Sequence, residues 1–397
     1  MKTLRYIALV CAIALIFSGC SWQRNTPPTV PIADGGKYLT IFDEYLQYQQ
    51  LTAAEKSYYG IIYTSVYDQL AEETWIQGEN GASLPGLRIP LGNANLSIAE
   101  ISRLFEAFYL DNPNFFFIDR TYSLEGREVS GAQVYDTLIL RYTMDATQRT
   151  AATKAFELAA QNILKDCPKT DNDYIVELYL HDALLSLCTY DQTATESATQ
   201  YPNAYSAYGA LVEGKAVCEG YAKAMQWLLT SVSIPATVIR GYSTTNHTAH
   251  MWNLVEINNE YYYLDPTWND HDKRPHYAYF NITSTDLQRT HTIDAGTTVI
   301  VDCSAETDNY FTRSGTYISV YDRDTIADII ATQIQNGATA VHLRFADGKF
   351  ENGLLFLKNA TLTKKMVNAR LRNGMKMWNY ELQTDASQNT LSLFKTN

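Results

Sequence analysis

Long apolar runs are nearly missing from this chain of 397 residues. The one that occurs, Ile7–Phe17, lies at the N-terminus, and a polytopic membrane protein is thereby excluded. Basic residues are in the minority, 31 Lys and Arg against 43 Asp and Glu, for a net charge of −12. Phosphate recognition needs clustered cations, so no nucleic-acid partner is expected. No internal repeat or low-complexity tract stands out. The remaining composition, 46% hydrophobic and 19% charged, is that of a globular protein, with room for two or three domains of ~100–200 residues each.

The first 19 residues read as an address rather than as fold. Lys2 and Arg5 precede the apolar run, which is too short to span ~30 Å of hydrocarbon as a helix and suits a signal-peptide core. It ends in Phe17-Ser18-Gly19-Cys20, which resembles a bacterial lipoprotein signal with Cys20 as the lipidated residue and new N-terminus. Losing Lys2 and Arg5 takes the formal charge from −12 to −14. The expected location is the cell envelope, exported and tethered to a membrane by lipid. A disulfide is permitted there among Cys167, Cys188, Cys218 and Cys303. The closest pair in sequence is Cys167 and Cys188.

Residues 20–38, with Pro27, Pro28, Pro31, Gly35 and Gly36, read as a flexible tether. Residues 39–165 read as a mostly helical N-terminal domain. Thr52 with Glu55 and Ser97 with Glu100 are capping-box spacings, each followed by apolar residues at helical intervals, and Ala146–Leu164 continues the pattern. Among these elements Thr137–Thr143 is strand-like. The chain carries 29 tyrosines, but at helical spacing such stripes are packing faces and no carbohydrate site is assigned to them. A second domain spans 170–285, opening with a helix over 172–188. Residues 290–397 alternate strand and helix and form a small C-terminal α/β domain: strands at 316–322, 338–345, 375–383 and 390–395, and a helix capped by Asp324 and ended by Gly337.

The chemistry lies in the second domain. In Gly214-Lys215-Ala216-Val217-Cys218-Glu219-Gly220-Tyr221-Ala222, apolar residues recur downstream at helical spacing, so Cys218 opens a helix. Unpaired amides and the helix dipole favour negative charge there, and the thiolate is the reactive form of cysteine. The glycine-flanked entry lets a carbonyl approach the Cys218 amide, one donor for an oxyanion. Two strand-like runs follow, His250–Ile257 and Glu260–Thr267, with Asn258-Asn259 between them suited to a two-residue turn. That register sets Ile257 against Glu260 and places His250 and Asp265 as diagonal neighbours on one face. Cys218, His250 and Asp265 then supply a nucleophile, a base and a carboxylate that orients the base.

Gly-Lys-Ala-Val-Cys-Glu-Gly-Tyr-Ala at 214–222, His-Met-Trp-Asn-Leu-Val at 250–255 and Tyr-Tyr-Leu-Asp-Pro-Thr-Trp at 262–268 resemble the three signature blocks of the bacterial transglutaminase-like superfamily. The lead-in around His181 and Ser206–Leu211 resembles it too, and the match covers about 172–285. The resemblance implies an α+β, papain-like core: a cysteine-bearing helix packed on an antiparallel sheet. It implies Cys218 as nucleophile, His250 as base and Asp265 as orienting carboxylate. Tyr208 is the candidate second oxyanion donor. Met251 stands where alanine is common.

No metal and no cofactor are expected. His247, His250, His271 and His276 lack the geometry and the Glu of a zinc-protease motif. Asp265, Asp270 and Asp272 lack a calcium loop's spacing, so calcium dependence is not carried over from animal transglutaminases. Two functions compete. One is a cysteine enzyme acting on amide or peptide carbonyls through a thioester, resolved by water or an amine, with peptides, proteins or peptidoglycan stems as partners in that location. The other is a catalytically silent envelope scaffold on the same fold.

Overall fold

The computed structural model describes residues 44–396 apart from 79–80, 93–95, 130–131, 272–273, 298 and 373. The leader expected at 1–19, the lipidation expected at Cys20 and the tether expected at 20–38 lie outside the described residues. Among the described residues no helix is long and apolar enough to cross a membrane.

The N-terminal part starts as its sequence requires. Thr52 and Ser97 cap the helices Ala53–Asp68 and Ile98–Asp111, each with a complete capping box through Glu55 and Glu100. Asp145 and Gln148 do the same for Ala146–Leu164. The tyrosine stripe is core: Tyr59 and Tyr63 are buried, with Tyr59 edge-on to Phe108 at 5.7 Å. Helix outweighs strand in this region, and a sheet accompanies it. Beside the helices stands a four-stranded antiparallel sheet in the order Trp75–Gln77, Ser83–Pro90, Ala132–Tyr142, Ile118–Val129. Pro85, Gly86 and Pro90 break the propensity of one strand. Ile118–Val129 is polar on both faces towards its tip, so no period-two apolar signal announces it.

The middle of the chain is a helix laid on a second antiparallel sheet. Strands run in the order His291–Ile293, Ala236–Ser243, Ala249–Ile257, Glu260–Leu264. The helix Cys218–Thr230 packs on the two central strands, where Asn253 Nδ2 donates to Ala222 O at 2.9 Å across the contact. One apolar core runs without a break from Tyr48 through this helix to Phe311, so the N-terminal and middle parts share an interior. Phe156 bridges them, 5.2 Å from Phe116 on one side and 5.4 Å from Trp227 on the other. The other face of the sheet closes over Trp252, Tyr263, Tyr279 and Ile282.

Residues 317–396 bury a core of their own, built on Ile326, Ile330, Leu343, Phe345 and Leu393. The strand order is Tyr317–Ile318, Ala340–Phe345, Thr390–Thr396, Asn379–Asp385, parallel at the first pairing and antiparallel elsewhere. Asp322, not Asp324, caps the helix Arg323–Gln335, because its carboxylate reaches the Thr325 amide at 2.7 Å. Two further helices, Phe350–Lys358 and Ala360–Asn368, carry no signal that the sequence patterns above pick out. No bridge joins Cys167 to Cys188.

The cysteine helix approaches its neighbours through Gly220. A Cβ there would lie 2.6 Å from Ala204 O and 2.9 Å from Ser206 O, both backbone atoms. This glycine serves helix docking rather than substrate approach. Gly220→Ala is expected to destabilise the protein by about 1–3 kcal/mol, the usual cost of overpacking. Urea unfolding is the check, and a variant as stable as wild type would contradict the packing described.

Candidate active site

Cys218 is the first residue of its helix, and Val217 before it is extended and anchored by its N–H to Ala204 O at 2.9 Å. Val217, Glu219 and Gly220 are buried, whereas Cys218 is partly open. First-turn amides have no partner within the helix, so the Cys218 N–H is available to an oxygen beside the sulfur.

The hairpin forms in the expected register, from Ile257 against Glu260 to Asn253 against Leu264. Asn258 and Asn259 make its turn with φ of 54° and 65°. Pairing stops at Leu264. His250 faces Gly241 on the strand at its other side. Asp265 instead leaves the ladder and caps the short helix Pro266–Asn269, its Oδ1 accepting from the Thr267 and Trp268 amides at 2.9 and 3.0 Å. That anchoring turns Oδ2 towards His250, whose Nε2 lies 2.6 Å away. Cys218 lies close enough to the imidazole to raise its pKa. The three residues, 32 and 15 positions apart in sequence, meet at one place.

Electrostatics bind the pair tightly. Burial disfavours a charged His250, but the Asp265 charge, its hydrogen bond and the contact with Cys218 outweigh it and lift the imidazole from 6.5 to about 10. Burial alone would raise the Asp265 carboxyl, yet the charge and hydrogen bond of His250, with help from His291, hold it well below the usual carboxylate range. Both directions describe an imidazolium–carboxylate pair, with His250 7% and Asp265 1% exposed. Trp268 lies 5.4 Å and Trp252 5.9 Å from the His250 ring, shielding the pair from water.

His291 has no counterpart among the residues that the sequence motifs single out. Fully buried, it places Nε2 3.1 Å from the same Asp265 Oδ2, while its Nδ1 meets Thr290 Oγ1 at 2.8 Å. It arrives from the edge strand, 26 residues beyond Asp265, with no motif around it. His250, Asp265 and His291 offer three ligand atoms within 4.8 Å of one another, the set a metal ion would use here. Hydrogen bonds among them already account for each of the three groups. The zinc constellation weighed from sequence does not assemble: His276 lies against Gln383 and His342 instead. His181 has a supporting place, accepting from Asn269 Nδ2 at 3.1 Å beneath the turn that follows Asp265.

Tyr208 is placed elsewhere than expected. It stacks on Phe116 at 4.8 Å and belongs to the packing of the N-terminal part. The tyrosines that sense the charge of Cys218 are Tyr190 and Tyr205. Tyr205 donates its hydroxyl to Ala194 O at 3.0 Å. Tyr190 is 39% exposed, and burial, with Cys218 next, pushes its phenol up to about 12. Its position directly after the helix Asp173–Leu187 carries no pattern that singles it out.

A helix bearing a cysteine lies on an antiparallel sheet, with a histidine and an aspartate beside it. Residues 161–266 match the model of the Transglutaminase-like superfamily. Among solved structures, one described as a TGase is 16% identical with a TM-score of 0.24, covering 51% of this chain and 56% of its own. Another, described as a "Putative Cysteine Protease" from Cytophaga hutchinsonii, is 17% identical with a TM-score of 0.23, covering 38% and 63%. This chain thus spans less than two thirds of either neighbour. No curated protein matches it.

The pair makes stability depend on pH. A histidine raised from 6.5 to about 10 contributes its full stabilisation below pH 6.5 and loses it as pH rises through 10. The stability advantage of wild type over His250→Gln is therefore expected to be constant near pH 6 and to shrink by pH 10, as read by urea unfolding at both values. An advantage that grows with pH would contradict the ion pair.

Proposed function

We propose that this protein is a cysteine acyl-transfer enzyme acting on carboxamide or peptide bonds. The observation that carries the proposal is the His250–Asp265 pair at 2.6 Å with Cys218 beside the same imidazole. Cys218 Sγ, as the thiolate beside the His250 imidazolium, bonds to the substrate carbonyl carbon. The carbonyl oxygen becomes an oxyanion, and the Cys218 amide donates to it. The C–N bond then breaks, its electron pair and the proton held on His250 leave with the amine, and a thioester remains. Water or a second amine gives its proton to His250, attacks the thioester carbonyl and breaks the C–S bond, returning the thiolate. Asp265 keeps the ring in one tautomer and balances the imidazolium.

Export and a lipid tether at Cys20 complete the proposal, on the strength of Lys2, Arg5, the apolar run Ile7–Phe17 and Ser18-Gly19 before the cysteine. In that setting the substrates are envelope peptides, proteins or peptidoglycan stems.

Mass spectrometry of a peptide library incubated with wild type and Cys218→Ala tests the chemistry. Deamidation, cleavage and amine transfer give different mass changes, and one of them is expected with wild type only. Cys218→Ala should lose on the order of 10⁴-fold or more of the rate. Equal turnover by both proteins would refute a thioester route.

A further inference from the structure

A cleft of about 720 Å³ follows the seam between the N-terminal sheet and the segment bearing Cys218. Its walls include Trp75, Tyr109 and Tyr205 together with Arg120, Arg141 and Lys223. Arg141 is offset by Asp119 at 2.8 Å. Arg120 and Lys223, by contrast, share one carboxylate, that of Glu219, at 3.1 and 3.0 Å. Two cations against one anion leave a positive excess around Glu219, with Asp145 the remaining acid among the cleft walls.

The two cations are held differently. Lys223 is buried with its ammonium 3.3 Å from the centre of the Tyr109 ring, and Tyr109 donates its hydroxyl to the same Glu219 oxygen at 3.0 Å. Arg120 is 43% exposed, with its guanidinium 4.7 Å over the Tyr205 ring. Its contact with Glu219 is an ion pair and not a hydrogen bond, for Glu219 Oε2 accepts none. A guanidinium carries five N–H donors in a fork that fits a carboxylate. Arg120 is within electrostatic range of Cys218, and Glu219 is the residue directly after the nucleophile.

We infer that this cleft receives the acyl donor and that Arg120 anchors a carboxylate carried by the substrate close to the scissile amide. The inference rests on the thiol-enzyme reading above and gives it a substrate class: acidic peptides or amides with a second, free carboxylate. The protein's own negative charge repels such molecules at long range, so a local cation beside the nucleophile is what lets them dock.

Two alkylating reagents of nearly equal size, iodoacetate and iodoacetamide, test it on the full chain. Each forms a bond from Cys218 Sγ to carbon and expels iodide, and only the first carries a carboxylate. The ratio of their rates is the readout. Arg120→Gln should lower the iodoacetate-to-iodoacetamide ratio about fivefold, the scale of one partly screened charge pair, and Arg120→Lys should restore most of it. In wild type, glutarate should slow labelling by iodoacetamide and glutaramide should not, a measurement that needs no variant. An unchanged ratio in Arg120→Gln, or no protection by glutarate, overturns the anchor while leaving the thiol enzyme standing. A Cys218 inert to both reagents overturns the enzyme reading, and the anchor with it.

Discussion

Asp265 is a carboxylate with 1% of its surface exposed, and burying such a charge costs several kcal/mol unless donors meet it. Four do: the Thr267 and Trp268 amides on one oxygen, the imidazoles of His250 and His291 on the other. These donors come from a short helix, a central strand and an edge strand. Satisfying one charge therefore sets how the hairpin ends, where the edge strand attaches and which way the His250 imidazole faces. Gly241 belongs to the same demand. It stands opposite His250, and a Cβ there would fall 2.5 Å from the Trp252 ring that covers the pair.

The N-terminal part is built into the site. It shares a core with the cysteine helix, and it contributes Tyr109 and Arg120 to Glu219, whose position in the chain adjoins Cys218. The C-terminal module is joined in another way. Its own core is closed, and polar contacts such as Arg274–Glu381 at 2.9 Å and Arg289–Asp347 at 3.0 Å connect it to the middle of the chain. A shared apolar interior resists separation, whereas exposed ion pairs contribute little to holding surfaces together. The N-terminal and middle parts are thus packed around one interior, while aromatic contacts such as Tyr277–His342 at 5.0 Å also tie the C-terminal module to the middle.

Much of the site is legible in the sequence because its rules are short-range. A capping box needs residues three apart, and Thr52, Ser97 and Asp145 all obey it. A two-residue turn at Asn258-Asn259 sets a whole hairpin register, which is why the residues alone place His250 and Asp265 on a common face. Tyr208 shows where such reading stops. Its neighbours in sequence say nothing of Phe116, 92 residues earlier, on which it stacks. Separation along the chain likewise hides Arg120 from Glu219 and His291 from Asp265, and a strand polar on both faces hides part of the N-terminal sheet.

The amino-acid sequence by itself determined the cysteine helix, the hairpin and the identity of the three residues that meet, because helix entry, turn chemistry and alternation act over a few positions. Tertiary structure alone decided which histidine joins Asp265 as a second donor, which tyrosines flank the thiol and which cation stands over the cleft. Those choices follow from the burial of charge. A buried carboxylate takes its partners from whatever packing brings near, and packing is set by elements tens of residues apart.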